Sequence, residues 1–144
     1  MDENRAIRIE RISDISEVMK CLPFERTIRK KKRDITRESD MLLFVQSNLL
    51  SPLFGFFIAY NGEDEIIGYL VGYLSLFPGF ERMQLLRLYM KEPWLEQEFK
   101  KVVDEWVKPF KIKIVQITVS KNVKAIQRKH KFIPVSINME RRLR

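Results

Sequence analysis

The sequence is poor in the residues that build metal sites and disulfides. It has one cysteine and one histidine among 144 residues. Cys21 therefore has no partner for an internal disulfide, and a zinc site of the usual Cys/His kind is excluded, so we expect no metal. No apolar run approaches the ~20 residues that cross a bilayer. The N-terminal residues are too polar for a secretion signal. We expect a protein with no membrane span, located in the cytoplasm.

Several common catalytic motifs are also missing. The chain has no Walker loop, no G-x-S-x-G and no dinucleotide fingerprint, and Cys21 has no histidine in a motif that would activate it. Repeats, low-complexity tracts and Gly/Ser linkers are absent. Hydrophobic residues make up 45% and charged residues 32% of the chain, a globular composition. This length and composition predict a single domain over residues 1–144.

Positive charge is concentrated in two stretches of the chain. Residues 108–144 contain 11 Lys+Arg and one acidic residue, whereas the rest of the chain contains 16 and 18. A second basic cluster lies at residues 26–37. Such clusters attract nucleic acid or acidic proteins, although a solvated surface is the alternative. The residues predicted to contact a polyanion or a protein partner are Arg29, Lys30, Lys31, Lys32, Arg33, Lys121, Lys124, Arg128, Lys131, Arg141, Arg142 and Arg144.

Hydrophobic periodicity predicts the order β-α-α-β-β-β-α-β-α-β. The first helix is capped by Ser13 or Asp14 and ended by Pro23, and a loop or short exposed helix follows. Asn61 and Gly62 separate two β-rich runs, which predicts an antiparallel hairpin. Gly68 and Gly72, in the second run, indicate a bulge, a bend or the close approach of another backbone. Residues 94–107 have the spacing of an amphipathic helix.

Four strings, in this order, carry a resemblance to a known family. They are IRIERISDISEVMKCL, EIIGYLVG, LLRLYMKEP and ITVSKNVKAI. Together they resemble the GNAT superfamily of acetyl-CoA-dependent N-acetyltransferases over nearly the whole chain. The resemblance implies an α/β (α+β) fold with a mixed, mostly antiparallel sheet flanked by helices. It also implies a sheet splayed between its fourth and fifth strands.

The chain departs from this family in two places. Members carry an Arg/Gln-x-x-Gly-x-Gly/Ala loop that cradles the pyrophosphate of acetyl-CoA, whereas the corresponding stretch here, MKEPWLEQEFKK, contains no glycine. Trp94 is bulky there, and Glu96 adds negative charge. Members also often carry a tyrosine that acts as a general acid for the departing thiolate. It lies on the helix that corresponds to NVKAIQRKHKF, and this chain has no tyrosine there. His130, on that helix, is interpreted as a residue at the edge of the core.

These departures favour loss of ordinary acetyl-CoA use, and hence no cofactor. The first hypothesis is a basic binding or structural component of a protein or nucleoprotein assembly. The alternative is a divergent but active N-acetyltransferase that uses acetyl-CoA. In that alternative Glu81 is the base and Tyr89 the acid. The backbone at Leu88 and Met90, together with Asn122, then contacts the acetyl-CoA.

Overall fold

The computed structural model describes residues 7–32 and 38–117. The strands and helices, in chain order, are β1 (Arg8–Arg11), α1 (Ile15–Met19), α2 (Leu22–Lys32), α3 (Glu38–Asn48), β2 (Phe54–Tyr60), β3 (Ile66–Ser75), β4 (Arg82–Met90), α4 (Leu95–Val107) and β5 (Val115–Gln116). No helix in these ranges is long and apolar enough to cross a membrane.

The five strands form one sheet in the order β1-β2-β3-β4-β5. The pairs from β1 to β4 are antiparallel, and β5 pairs with β4 in parallel. Helices cover both faces, so the predicted fold class, a mixed and mostly antiparallel sheet flanked by helices, is confirmed. The predicted helix and strand after β5 lie outside the described residues.

Two hydrophobic clusters hold the helices to the sheet, one on each face. The first joins α4 to the sheet through Leu95, Phe99, Val103 and Trp106, as expected for the amphipathic helix predicted here. The second joins α1 and α3 to the opposite face, where Val18 and Val45 pack. All of β2 is buried, as expected for a strand covered on both sides.

The first connection contains more helix than the predicted order has, because three helices rather than two separate β1 from β2. Pro23 does not end the first helix. It stands in the first turn of α2, where its missing N–H costs no hydrogen bond. Asp14 caps α1 by accepting a hydrogen bond from the Ser16 N–H at 2.9 Å, as predicted.

The β2–β3 hairpin is present, but its connection differs from a two-residue turn. The side-chain oxygen of Asn61 accepts hydrogen bonds from the backbone N–H groups of Glu63 and Glu65. Asp64 adopts the positive φ of 61°, a conformation that Asp tolerates better than most residues. Asn61 therefore organises a longer loop, and the left-handed position falls on Asp64 rather than on Gly62.

Candidate functional site

A cavity of about 240 Å³ lies between the first three helices and the sheet. Most of its lining is apolar. The residues that line it are Val18, Cys21, Glu25, Asp40, Met41, Phe44, Val45, Phe56, Tyr69, Val71, Leu86 and Arg87. A largely apolar cavity with a few converging polar groups is the usual form of a small-molecule site.

Glu25 is the buried polar group of this cavity. It extends from α2 and only 2% of its surface is exposed. One carboxylate oxygen accepts a hydrogen bond from the Tyr69 hydroxyl at 2.7 Å, and the other lies 3.3 Å from Arg87 Nε. Since Tyr69 belongs to β3 and Arg87 to β4, the carboxylate is fixed by two neighbouring strands. Buried carboxylates persist in proteins when they are paired in this way.

Two groups near Glu25, a phenol and a thiol, keep their protons. Burial, with the hydrogen bond to Glu25, raises the pKa of the Tyr69 hydroxyl above its usual range. Burial, together with the charges of Glu25 and Glu17, raises the pKa of the Cys21 thiol to about 12. Tyr69 therefore acts as a hydrogen-bond donor, and Cys21 is a small buried hydrophobe rather than a nucleophile. The carboxylate oxygens of this cavity's described lining come from Glu25 and Asp40.

Strand β4 is irregular beside this cavity. Its register with β3 shifts at Val71 and Gly72, which pair with Arg87 and Leu85 and leave Leu86 as an extra residue. Such a bulge bends a strand and redirects the residues that follow it. Leu86 and Arg87 both line the cavity as a result.

The backbone of β4 beyond the bulge has amides on its outer edge. The backbone N–H of Lys91 donates to the Ile67 carbonyl at 2.9 Å, so this N–H points toward β3. Backbone N–H groups alternate in direction along an antiparallel strand. The N–H of Tyr89 therefore also points toward β3, whereas the N–H groups of Leu88 and Met90 point away from it. In the described part of the chain, β5 pairs only with Met83 and Gln84. The outward amides of Leu88 and Met90 thus have no strand partner there.

The start of α4 follows this edge directly and has a different character. The N–H groups of Leu95 and Glu96 donate to the carbonyls of Glu92 and Pro93 at 3.1 and 3.2 Å. Glu96 and Glu98 lie in the first turn, where carboxylates oppose an anionic ligand. Trp94 packs against the cluster beneath α4.

The structure separates the two predicted catalytic residues. Glu81 is exposed and immediately precedes β4, whereas Tyr89 lies near the other end of that strand. Eight residues of extended chain span roughly 26 Å. The Tyr89 ring lies 5.6 Å from that of Tyr69, so Tyr89 is a neighbour of the Glu25 cavity and Glu81 is not.

The other predicted contacts fall mostly outside the described residues. Asn122, Arg33 and all basic residues predicted from 121 onward are outside them. Residues 29–32 form the last turn of α2. No group of three or more metal-ligating side chains occurs among the residues that the structure describes.

Glu25 was not singled out from the sequence. A signal was present in the spacing. Glu25 follows Val18 by seven residues and Cys21 by four, so it occupies a position of the buried stripe where an apolar residue is expected. An acidic residue at a core position is a candidate functional group.

Comparison with known proteins identifies the fold. No family model and no curated protein matches the sequence. Among solved structures, an aminoglycoside acetyltransferase from an uncultured soil metagenomic sample superimposes with a TM-score of 0.73 at 15% identity, covering 99% of this chain and 100% of that one. A predicted acetyltransferase from Clostridium acetobutylicum, solved with acetyl-CoA, gives 0.72 at 13% identity, with 94% and 96% covered.

A third structure is similar over the same extent. It is the ribosomal-protein-alanine N-acetyltransferase of Brucella melitensis, with a TM-score of 0.63 at 10% identity and coverage of 96% and 99%. The chain has the GNAT fold. The resemblance seen in the sequence is thereby confirmed at the level of the fold.

Proposed function

We propose that this protein is an N-acetyltransferase that moves an acetyl group from acetyl-CoA to an amine. One observation carries the proposal. Strand β4 lines the Glu25 cavity through Leu86 and Arg87, and directly after them it presents the outward amides of Leu88 and Met90 on its edge. The similarity of the whole chain to solved acetyltransferases supports it. It favours the catalytic alternative over a purely structural role.

The β4 edge fits the amide-bearing arm of acetyl-CoA. An arm of this kind adds to a sheet edge through backbone hydrogen bonds, as an extra strand does. Leu88 and Met90 would hold it. We assign no part of the acetyl-CoA to the start of α4, where the first amides are engaged and carboxylates lie close.

The residues of this chain have distinct tasks in the proposed reaction. When bound, acetyl-CoA supplies a thioester whose carbonyl carbon receives the amine nitrogen. The carboxylate of Glu25 would take the proton that the amine loses. The C–S bond of the thioester would break, and the sulfur would leave as the thiol of coenzyme A with that proton. Tyr69 and Arg87 hold that carboxylate in position, and an outward amide of β4 stabilises negative charge on the carbonyl oxygen.

Titration calorimetry with acetyl-CoA at near-physiological salt, followed by an assay of thiol release with amines, tests the proposal. We expect micromolar binding and amine-dependent release. An absence of both would overturn the proposal. It would also return attention to the basic clusters and their predicted polyanion or protein partners.

A pair of substitutions at one position tests the amide directly. Leu88→Pro removes the outward N–H without breaking a bond to β3, and proline is tolerated where a strand N–H faces outward. Leu88→Ala trims the side chain and keeps the amide. We expect kcat/KM to fall by about a hundredfold or more in the proline variant, as for loss of an oxyanion donor. The alanine variant should stay within a few-fold of the wild type, and equal losses in the two would exclude a role for the amide.

A further inference from the structure

Among the described residues that line the Glu25 cavity, the charges do not cancel. Glu25 and Asp40 each contribute a carboxylate, and Arg87 contributes one guanidinium. Glu25 and Arg87 pair with each other at 3.3 Å. Asp40, in the first turn of α3, is exposed and supplies the excess negative charge. A ligand with one positive charge would restore neutrality among these lining residues.

The rest of the lining indicates which kind of ligand would carry this positive charge. Met41, Phe44 and Val45 come from α3, and Phe56, Val71 and Leu86 come from the sheet. Such side chains favour an apolar ligand and leave the hydroxyls of a sugar without partners. The volume of about 240 Å³ is below the ~300–1,000 Å³ of sites for drug-sized molecules. The cavity therefore suits a compact ligand with few polar groups.

We infer that the acetyl acceptor is a small primary monoamine on an apolar body, such as an arylalkylamine. The inference rests on the proposed function for the reaction and on the cavity for the acceptor. The amine lies beside the carboxylate of Glu25, and the apolar body packs between α3 and the sheet. Asp40 attracts the cation at the entrance and is a specificity residue rather than a catalytic one.

Three probes separate charge from shape. Phenethylamine has the inferred charge and body, 3-phenylpropionate has a similar body with the opposite charge, and spermidine has several charges without an aromatic body. Calorimetry without acetyl-CoA should show phenethylamine binding about tenfold or more tightly than either of the others, as expected for a charge-assisted hydrogen bond. Tighter binding of 3-phenylpropionate or spermidine, or no binding of phenethylamine, would overturn the inference.

Matched substitutions locate the effect on Asp40. Asp104 is an exposed carboxylate on α4, across the sheet, so Asp104→Asn removes the same charge away from the cavity. We expect Asp40→Asn to raise KM for phenethylamine several-fold with little change in kcat, and Asp104→Asn to change neither. Equal effects of the two substitutions would show that only net charge matters, against the inference.

The outcomes also separate this inference from the proposed function. Suppose that acetyl-CoA binds but that spermidine, or the aminoglycoside sisomicin, is acetylated with a higher kcat/KM than phenethylamine. The inferred acceptor class is then wrong, and the proposed acetyltransferase function stands. If phenethylamine binds but acetyl-CoA neither binds nor is consumed, the function is wrong and the ligand class of the cavity stands.

Discussion

At the scale of single residues, Glu25 shows how the fold keeps a carboxylate among apolar groups. Removing a charge from water costs several kcal/mol, and the cost is offset only when the remaining partners are well placed. Tyr69 donates one hydrogen bond and Arg87 provides the opposite charge. The arrangement is therefore sensitive to loss of any one member.

A substitution of Glu25 should reveal this sensitivity as lost stability. Glu25→Gln keeps an acceptor for Tyr69 and removes the charge that pairs with Arg87, so we expect a loss of about 1–3 kcal/mol in the free energy of unfolding. Urea denaturation measures it. Glu10 pairs with Arg8 on the surface, and Glu10→Gln is the control, with an expected loss below about 1 kcal/mol. Similar losses at the two positions would show that Glu25 is not a special buried ion.

At the scale of elements, the packing of β3 against β4 depends on a missing side chain. A Cβ atom at Gly68 would lie 2.8 Å from the backbone carbonyl oxygen of Tyr89. The close backbone approach predicted for this glycine is confirmed. At Gly72, by contrast, the nearest atom is the flexible end of Met83.

These two glycines should respond differently to alanine. Gly68→Ala forces two backbones apart next to the Tyr69–Tyr89 pair, so we expect it to destabilise the protein by about 1–3 kcal/mol. Gly72→Ala should cost less, because a methionine end can move. Thermal unfolding of the two variants makes the comparison, and a larger loss for Gly72→Ala would contradict this account of the packing.

The elements also show what local patterns can predict. The hairpin and α4 follow from periodicity, since strong alternation and an amphipathic stripe depend on neighbours in the sequence. The places of Pro23 and Asp64 in the fold were harder to predict, because the backbone angles of each residue are allowed at several positions. The site was harder still. Glu25 meets Arg87 only after α2 has packed across two strands, and no local pattern encodes that meeting.

At the scale of the whole molecule, stability should depend on pH at both extremes. Burial raises the pKa of Tyr60 and Tyr69 above the usual range. Above about pH 10 an unfolded chain ionises these phenols while the folded protein keeps them neutral, so stability falls as pH rises. The reverse holds for Asp14, since the Ser16 N–H lowers the pKa of that carboxyl. Its contribution is present above about pH 4 and is lost as the solution becomes more acidic.

Urea denaturation measured at several pH values from about 9 to 11 tests the predicted loss of stability in alkaline solution. Each tyrosine contributes a slope of at most about 1.4 kcal/mol per pH unit, and Tyr69→Phe should remove one such contribution. An unchanged slope in the Tyr69→Phe protein would argue against the buried hydrogen bond to Glu25.

The strand order also has a consequence for how the chain assembles. Strands β2 and β3 each pair with the next strand along the chain, and such contacts close short loops quickly. Strand β5 pairs in parallel and joins the sheet only after α4 has crossed over. During synthesis, the lining residues that the structure describes have all been made once Arg87 is added, before β5 is translated. The residues known to line the cavity are therefore all present in the nascent chain before the parallel strand β5 exists.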